Sequence, residues 1–281
     1  MIAAKRESAR EMLNKVPEVT LYFWIIKVLC TTVGETAADF LNAHLGLGLT
    51  NTTYIMGSFL LVTLFIQFRL RKYVPGIYWL AVVLLSVVGT QITDNLVDNF
   101  GVSLVTTTTV FSMGLAATFA AWYASEGTLS IHTIYTTRRE AFYWLAIFFT
   151  FALGTAAGDL LAERLNVGYL NSAVLFGALI AVITFAHYAV RGILAAQHSR
   201  QSTNAVLAFW LAYILTRPLG ASIGDLLSQT HDKGGLGLGT IVTSAIFLVS
   251  ILGLVVYLAI SKRDVTENAL PSRAESRPRV V

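Results

Sequence analysis

A Trp, a Gly ten residues after it and an Asp five residues after the Gly recur four times along the chain. The copies read W-I-I-K-V-L-C-T-T-V-G-E-T-A-A-D from Trp24 to Asp39 and W-L-A-V-V-L-L-S-V-V-G-T-Q-I-T-D from Trp79 to Asp94. They continue as W-L-A-I-F-F-T-F-A-L-G-T-A-A-G-D from Trp144 to Asp159 and W-L-A-Y-I-L-T-R-P-L-G-A-S-I-G-D from Trp210 to Asp225. Four of the five Trp residues sit in this register. Fixed spacing over four copies marks an internal repeat rather than chance in an apolar chain.

The apolar blocks around each copy decide the environment. Hydrophobic residues make up 55% of the 281 residues and charged residues 13%, where soluble domains carry about 25% charge. Mean hydropathy is +0.66. The blocks are long enough to cross about 30 Å of hydrocarbon, which takes about 20 residues. The expected fold is an all-α polytopic membrane protein of eight transmembrane helices, built from four parallel two-helix repeats in pseudo-fourfold or paired-repeat packing. The net charge of +4 lies mostly in short loops and tails, where topology accounts for it, so no nucleic-acid partner is expected. One cysteine, Cys30, excludes a disulfide framework or a Cys-based metal site within one chain.

The sequence divides into a cytoplasmic N-terminal segment, 1–18, then repeats at 19–75, 76–140, 141–204 and 205–261, and a cytoplasmic tail, 262–281. Residues 1–15 are polar and lack a small-residue cleavage pattern, so they are not a cleavable signal. Glu11 and Lys15 are expected to be solvated or to lie on the membrane surface. Crossings are expected at 21–41, 52–68, 77–97, 102–123, 141–161, 169–190, 205–227 and 236–260, with a polar loop over 191–204 and a disordered tail from 261. Eight crossings put both ends on one side. That side carries Arg69, Arg71, Lys72, Arg138, Arg139, Arg191 and Arg200. The ends add Lys5, Arg6, Arg10, Lys15, Lys262 and Arg263, and the opposite loops offer Arg164 and Lys233. The positive-inside rule places both termini in the cytoplasm. Each unit spans the membrane an even number of times, so the repeats are parallel and not inverted.

The first helix of each unit carries a polar stripe at i+4 spacing, which is one helix face. Copy one gives Lys27, Thr31, Glu35 and Asp39, and copy two gives Ser86, Thr90, Asp94 and Asp98. Copy three gives Thr155, Asp159 and Glu163, and copy four gives Tyr213, Arg217, Asp225 and Gln229. Carboxylates in lipid are costly and face protein or water. Asp39, Asp94, Asp159 and Asp225, at one repeat position, call for a collective role. A structural role, a cation site and a proton relay are the open readings. Glu35, Thr90, Gln91 and Thr155 are candidate auxiliary ligands. These hard oxygen donors suit Mg²⁺, Mn²⁺ or Ca²⁺. Arg217 is expected to pair with Glu35 and to gate or compensate charge. Lys27 is expected to snorkel towards headgroups. The Gly of each copy (Gly34, Gly89, Gly154 and Gly220) either lets backbones approach or marks an unwound helix that offers carbonyls to an ion. His187 reads as a satisfied interfacial residue.

The opening K-V-P-E-V-T-L-Y-F-W-I-I-K-V-L with T-T-V-G-E-T-A-A-D resembles a family of uncharacterised bacterial multi-pass membrane-anchored proteins with a repeated G-x-x-x-x-D motif. The resemblance spans the membrane region and implies topology rather than activity. The acidic repeats also look loosely like manganese and calcium/proton exchangers, although the E-x-G-D motif of those proteins is absent. The expected function is transport of a divalent cation across a bacterial inner membrane, coupled to protons or membrane potential, with efflux preferred. A structural or sensory membrane anchor and a proton- or cation-selective channel are the alternatives. No nucleophile-base constellation or phosphate loop suggests an enzyme, and no cofactor is expected. The partners are the lipid bilayer, the cation and protons; the sequence leaves the oligomeric state open.

Overall fold

The computed structural model describes residues 14–44, 48–193 and 198–265. The basic residues at positions 5, 6 and 10, Glu11 and the tail beyond 265 lie outside the described residues. So do the side chains of Arg191 and Arg200.

Eight long helices run in chain order: α1 (Leu21–His44), α2 (Gly48–Arg69), α3 (Pro75–Asp94), α4 (Leu104–Glu126), α5 (Thr137–Asp159), α6 (Tyr169–Ile193), α7 (His198–Ser228) and α8 (Thr240–Ser261). Each holds a stretch long and apolar enough to cross a membrane, and in lipid a helix satisfies its own backbone. Local chemistry sets the ends. Pro75 opens α3, the Ser103 hydroxyl caps α4 and the Thr136 hydroxyl caps α5. Pro lacks a needed donor only after the first turn, and a hydroxyl accepts from an orphan amide.

Some boundaries differ from expectation. α2 starts at Gly48 rather than 52, because the Thr52 and Thr53 hydroxyls donate back to the Gly48 and Leu49 carbonyls at 2.7 Å. α7 starts at His198, inside the expected loop over 191–204. α8 starts at Thr240 rather than 236, since Gly237 and Gly239 hold φ of +70° and +77°, outside helical space.

The odd helices form a closed ring in which α1 packs on α3, α3 on α5, α5 on α7, and α7 on α1. Each even helix packs mainly on the odd helix of the following repeat: α2 on α3, α4 on α5, α6 on α7, and α8 back on α1. A hairpin touches its own partner only lightly. The packing is therefore cyclic, and the four units enclose one axis. In their most apolar stretches the odd helices are 50% to 72% buried and the even helices 17% to 28%. The even helices turn Phe59, Phe65, Phe185 and Leu252 outward, as a lipid-facing shell requires.

The repeated Gly makes the ring close. A Cβ on Gly34 would overlap Ser86, one on Gly89 would press on Phe151, one on Gly154 would overlap Arg217, and one on Gly220 would overlap Thr31. In each case the Gly receives the side chain seven residues after the Trp of the next repeat. The helix stays α-helical through all four glycines, so they serve close packing and not an unwound ion site.

Both described end segments seal the face on which the termini lie. Lys15, expected to be solvated, is fully buried. It forms an ion pair with Glu140 and donates to the Phe68 carbonyl at 3.3 Å. Gln67 donates to the same Glu140 carboxylate at 3.1 Å. A buried ammonium needs such a set of partners. Asp264, in the stretch expected to be disordered, is 1% exposed. It accepts from the Tyr73 hydroxyl at 2.6 Å, and its carbonyl accepts from the Glu18 amide at 2.9 Å.

Candidate functional site

The polar stripe stacks as layers along the axis. Nearest the termini, the residue before each Trp is aromatic: Phe23, Tyr78, Tyr143 and Phe209. The next layer is Lys27, Val82, Ile147 and Tyr213. Above it come Thr31, Ser86, Phe151 and Arg217, then Glu35, Thr90, Thr155 and Ala221. All of these are buried except Phe209, which is partly so. The top layer is Asp39, Asp94, Asp159 and Asp225, of which only Asp225 is fully buried. The axis is thus packed on the terminal side and opens at the acidic layer.

Arg217 stands at the junction and reaches all three other odd helices. Its Nη1 donates to the Thr31 carbonyl at 2.6 Å, and its Nη2 pairs with Glu35 Oε2 at 2.7 Å. Nη2 also donates to the Thr90 hydroxyl and, at 2.7 Å, to that of Thr155; Nε reaches Thr155 at 3.2 Å. The expected Arg217–Glu35 pair is present. Thr90 and Thr155 are engaged by the guanidinium. Arg217 lies one turn below the Glu35 position on the neighbouring helix, and the small residue Gly154 makes room for its stem.

Three carboxylates converge above this clamp. Glu35, Asp159 and Asp225 each present an oxygen within 4.8 Å of the others. The Asp159 and Asp225 carboxylates form no hydrogen bond or ion pair among the described residues. Asp94 lies in electrostatic range of Glu35, Asp159 and Asp39. Asp39 sits towards the mouth, where Gln229 donates to it at 3.4 Å. Gln91 is fully buried and its amide atoms have no hydrogen-bond partner among the described residues; it is not part of the converging set. The geometry offers a small site of hard oxygens, open on the side away from the termini. Such a donor set fits Mg²⁺, Mn²⁺ or Ca²⁺.

Lys27 does not snorkel. Its Nζ is enclosed 3.8 Å from the centre of the Phe151 ring and 4.1 Å from that of Tyr213. It faces the axis and not the lipid, because its helix belongs to the inner ring. His187 also departs from expectation, since its Nδ1 has no partner among the described residues.

Other parts of the site carry weak sequence signals. Asp94 and Asp159 are each followed by a π-helical turn, Asn95–Asn99 and Leu160–Arg164, neither of which contains a Gly or Pro. A cavity of about 450 Å³ at the mouth is lined by Glu163, Tyr169, Gln229 and Lys233. Only Glu163 and Gln229 lie on the i+4 stripe. The hydroxyls at the start of the second helices mostly bond their own backbone. The exception is an amide-hydroxyl cluster in which Asn95 donates to Thr53 at 2.8 Å and accepts from Thr50 at 3.0 Å.

Segments 22–73, 77–128, 142–192 and 208–264 each match one family, described as a repeat of unknown function, DUF347. The chain belongs to this family. Each DUF347 segment contains one helix of the inner ring and one of the outer shell, with one axial Asp. The four matches coincide with the four two-helix units, and the family's description names no activity. No curated protein and no solved structure matches the chain.

Proposed function

We propose that this DUF347 protein transports a divalent metal cation, Mn²⁺, Mg²⁺ or Ca²⁺, across a bacterial cytoplasmic membrane. The observation that carries this reading is the convergence of Glu35, Asp159 and Asp225, from three different repeats, on a space less than 4.8 Å across. Asp39 and Asp94 lie in electrostatic range of Glu35. Carboxylates so placed repel one another unless a cation or protons compensate. Arg217 neutralises one of them.

The described basic residues Arg69, Arg71, Lys72, Arg138, Arg139, Lys262 and Arg263 lie on the terminal side, against Arg164 and Lys233 opposite. That distribution supports cytoplasmic termini, and the acidic layer then faces outward. In this conformation a cation reaches the carboxylates from outside. Arg217 and the buried layers below it bar the way in. Passage requires Glu35 to exchange its guanidinium partner for the cation while Arg217 leaves the axis. An outward-facing acceptor of this kind serves efflux as the release site. A permanently open cation channel fits less well, since a guanidinium on the axis repels the ion. A structural or sensory anchor is the second reading. It is favoured by one fact, that Arg217 ties all four inner helices together.

The test is flux in proteoliposomes holding the full chain, with Mn²⁺, Mg²⁺ and Ca²⁺ supplied in turn and internal pH read at the same time. Asp159→Asn and Asp225→Asn should lose flux while remaining folded. If both variants fold and keep full flux for every ion, the site is wrong. An anchor gives no flux of any ion in the wild type. A channel gives flux that follows the electrochemical gradient alone and ignores a proton gradient.

A further inference from the structure

α6 and α1 both pack on α7, and a cavity of about 720 Å³ lies in the angle between them. That volume falls in the range of ligand pockets, about 300–1,000 Å³. Along α7 its lining extends from Ala205 to Leu219, about 21 Å at 1.5 Å per residue. One membrane leaflet with its headgroup layer is about as deep, half of about 40–45 Å. All three helices are membrane spans. Leu21, Thr184 and Tyr188, which line the cavity, are exposed on the outer surface of these spans. The cavity is thus open sideways, to lipid, in the half of the membrane nearer the termini.

Its lining is graded along that depth. Towards the middle of the spans it is formed by Val28, Ile180, Ile183, Ala212 and Leu219. Two hydroxyls also reach this part. Thr184 donates to the Ile180 carbonyl at 2.8 Å and Thr216 to that of Tyr213 at 2.6 Å, so both are engaged by their own helices. The shaft is therefore apolar. The terminal end is polar, with Thr20, Ser130, His132 and His187. The loop that carries Ser130 and His132 is pinned, because the Trp210 indole donates to the Leu129 carbonyl at 2.9 Å. His187 stands near the terminal end of the α6 span. It is half-buried, and its Nδ1 is enclosed with no hydrogen-bond partner among the described residues. Enclosed polar atoms in folded proteins are almost always paired. No acidic side chain lines the cavity among the described residues; Glu18, which faces His132 at 3.8 Å, lies outside the lining.

We propose that this cavity is a phospholipid site, in which one acyl chain of a glycerophospholipid from the terminal-side leaflet fills the shaft and His187 donates from Nδ1 to the phosphate. The apolar shaft and the polar end follow one another in the order in which a leaflet presents chain and headgroup. An imidazole N–H donates in the neutral ring and in the charged one, and no lining carboxylate opposes the phosphate. Lipid tails are as apolar as the shaft, so chain burial adds little by itself and the phosphate contact sets the preference. The site needs no transport activity and stands apart from the cation-transport reading. It bears on the same helices, however. Thr216 and Leu219 face the cavity, while Arg217 between them faces the axis and pairs with Glu35 of α1. Lipid on the outer side and the ion pair on the inner side hold one seam, between the last repeat and the first.

The experiment uses the full chain purified in detergent. Phosphatidylglycerol is the probe, and diacylglycerol with the same chains is its phosphate-free counterpart. Native mass spectrometry counts the bound lipid and weighs the protein. Wild type should hold one phosphatidylglycerol at least about ten-fold tighter than diacylglycerol, as one hydrogen bond to a charged group supplies. Its Tm should rise with the lipid. His187→Phe should lose the preference between the two lipids. Ala212→Phe puts a ring into the shaft and should lose both; Ala208→Phe, on the same wall, serves if Ala212→Phe does not fold. Leu252→Phe, on the outward face of α8 and 64% exposed, should bind as wild type does. Equal binding of the two lipids by wild type overturns the proposal, as does a wild type that holds neither. Phosphatidylglycerol held as well by the filled variants marks surrounding lipid only and also overturns it. So does displacement by glycerol phosphate, which points to a soluble ligand, or a dimer that the filled variants break apart, which puts a second copy of the chain in the groove.

Discussion

Glu35 and Arg217 pair at 2.7 Å with the guanidinium fully buried and the carboxylate 8% exposed. They come from the first and last repeats, so this one contact joins the ends of a cyclic architecture. The other repeats place Thr90, Thr155 and Ala221 at the Glu35 position, and Thr31, Ser86 and Phe151 at the Arg217 position. Symmetry is therefore broken at one pair, and the two hydroxyls that replace Glu35 in the second and third repeats become acceptors for the same guanidinium.

That arrangement predicts an asymmetric mutational response. Glu35→Gln leaves a buried guanidinium with neutral acceptors only, and should cost about 3–5 kcal/mol, as does removing one partner of a buried pair elsewhere. Replacing both, Glu35→Gln with Arg217→Met, should cost clearly less than the sum. Denaturant unfolding in micelles of the two single variants and the double variant measures the coupling. Additive losses would show that the pair is not coupled.

Gly154 predicts a second contrast. A methyl group there overlaps the Arg217 stem and lies 3.0 Å from the Pro218 ring. Gly154→Ala should destabilise by about 1–3 kcal/mol, as overpacking does, and should disturb the clamp. Gly57, on the outer face of α2, has nothing within 4 Å of the same methyl position. Gly57→Ala should be neutral or stabilise by about 0.5–1 kcal/mol through helix propensity. Thermal unfolding of both variants in one detergent decides it, and equal effects would contradict the cyclic packing.

The acidic layer predicts stabilisation by metal. A cation bound only by the folded chain, at about 100 times its dissociation constant, adds about 2.7 kcal/mol. Mn²⁺ should therefore raise Tm. Asp225→Asn should abolish most of that rise, since Asp225 is one of the three converging carboxylates. Asp232→Asn, on an exposed turn, should retain it. A rise unchanged in Asp225→Asn would place the ion elsewhere.

Much of this was legible in the chain because the repeat period is rigid. Counting from each Trp places the four Asp on one face, and the one-turn offset between Arg217 and Glu35 follows from the same count. What the period does not encode is which copy an outer helix packs against. Identical units can fold on themselves or on their neighbours, and the repeated Gly contacts, Gly34 against Ser86 and Gly220 against Thr31, join inner helices only and leave that choice open. The burial of Lys15 was hidden for a different reason. Its local sequence is that of a solvated lead-in, and its counterion Glu140 lies 125 residues away. Lys27 carries the same lesson: position near a helix end suggests snorkelling, but ring membership decides which way the side chain faces.

The contact of Asp264 with Tyr73 predicts how stability varies with pH. Burial holds the Asp264 carboxyl above its ordinary value of 3.8, and the hydrogen bond from Tyr73 only partly offsets this. The cause is visible in the structure: Oδ2 accepts from the phenol, while Oδ1 is buried with no partner among the described residues. Burial and the neighbouring Asp264 also hold the Tyr73 phenol above the usual tyrosine range, so it stays a donor. Between the ordinary and the raised value the folded chain binds more protons than the unfolded one. Stability from this group is then fully present at acid pH and falls as pH rises through that interval. Asp264→Asn keeps an acceptor for Tyr73 and has no proton to lose. Its Tm relative to wild type should climb with pH from about pH 4 and level off once the pH has passed the raised value. A flat difference, or wild type gaining on the variant as pH rises, would show that the carboxyl does not stay docked against Tyr73.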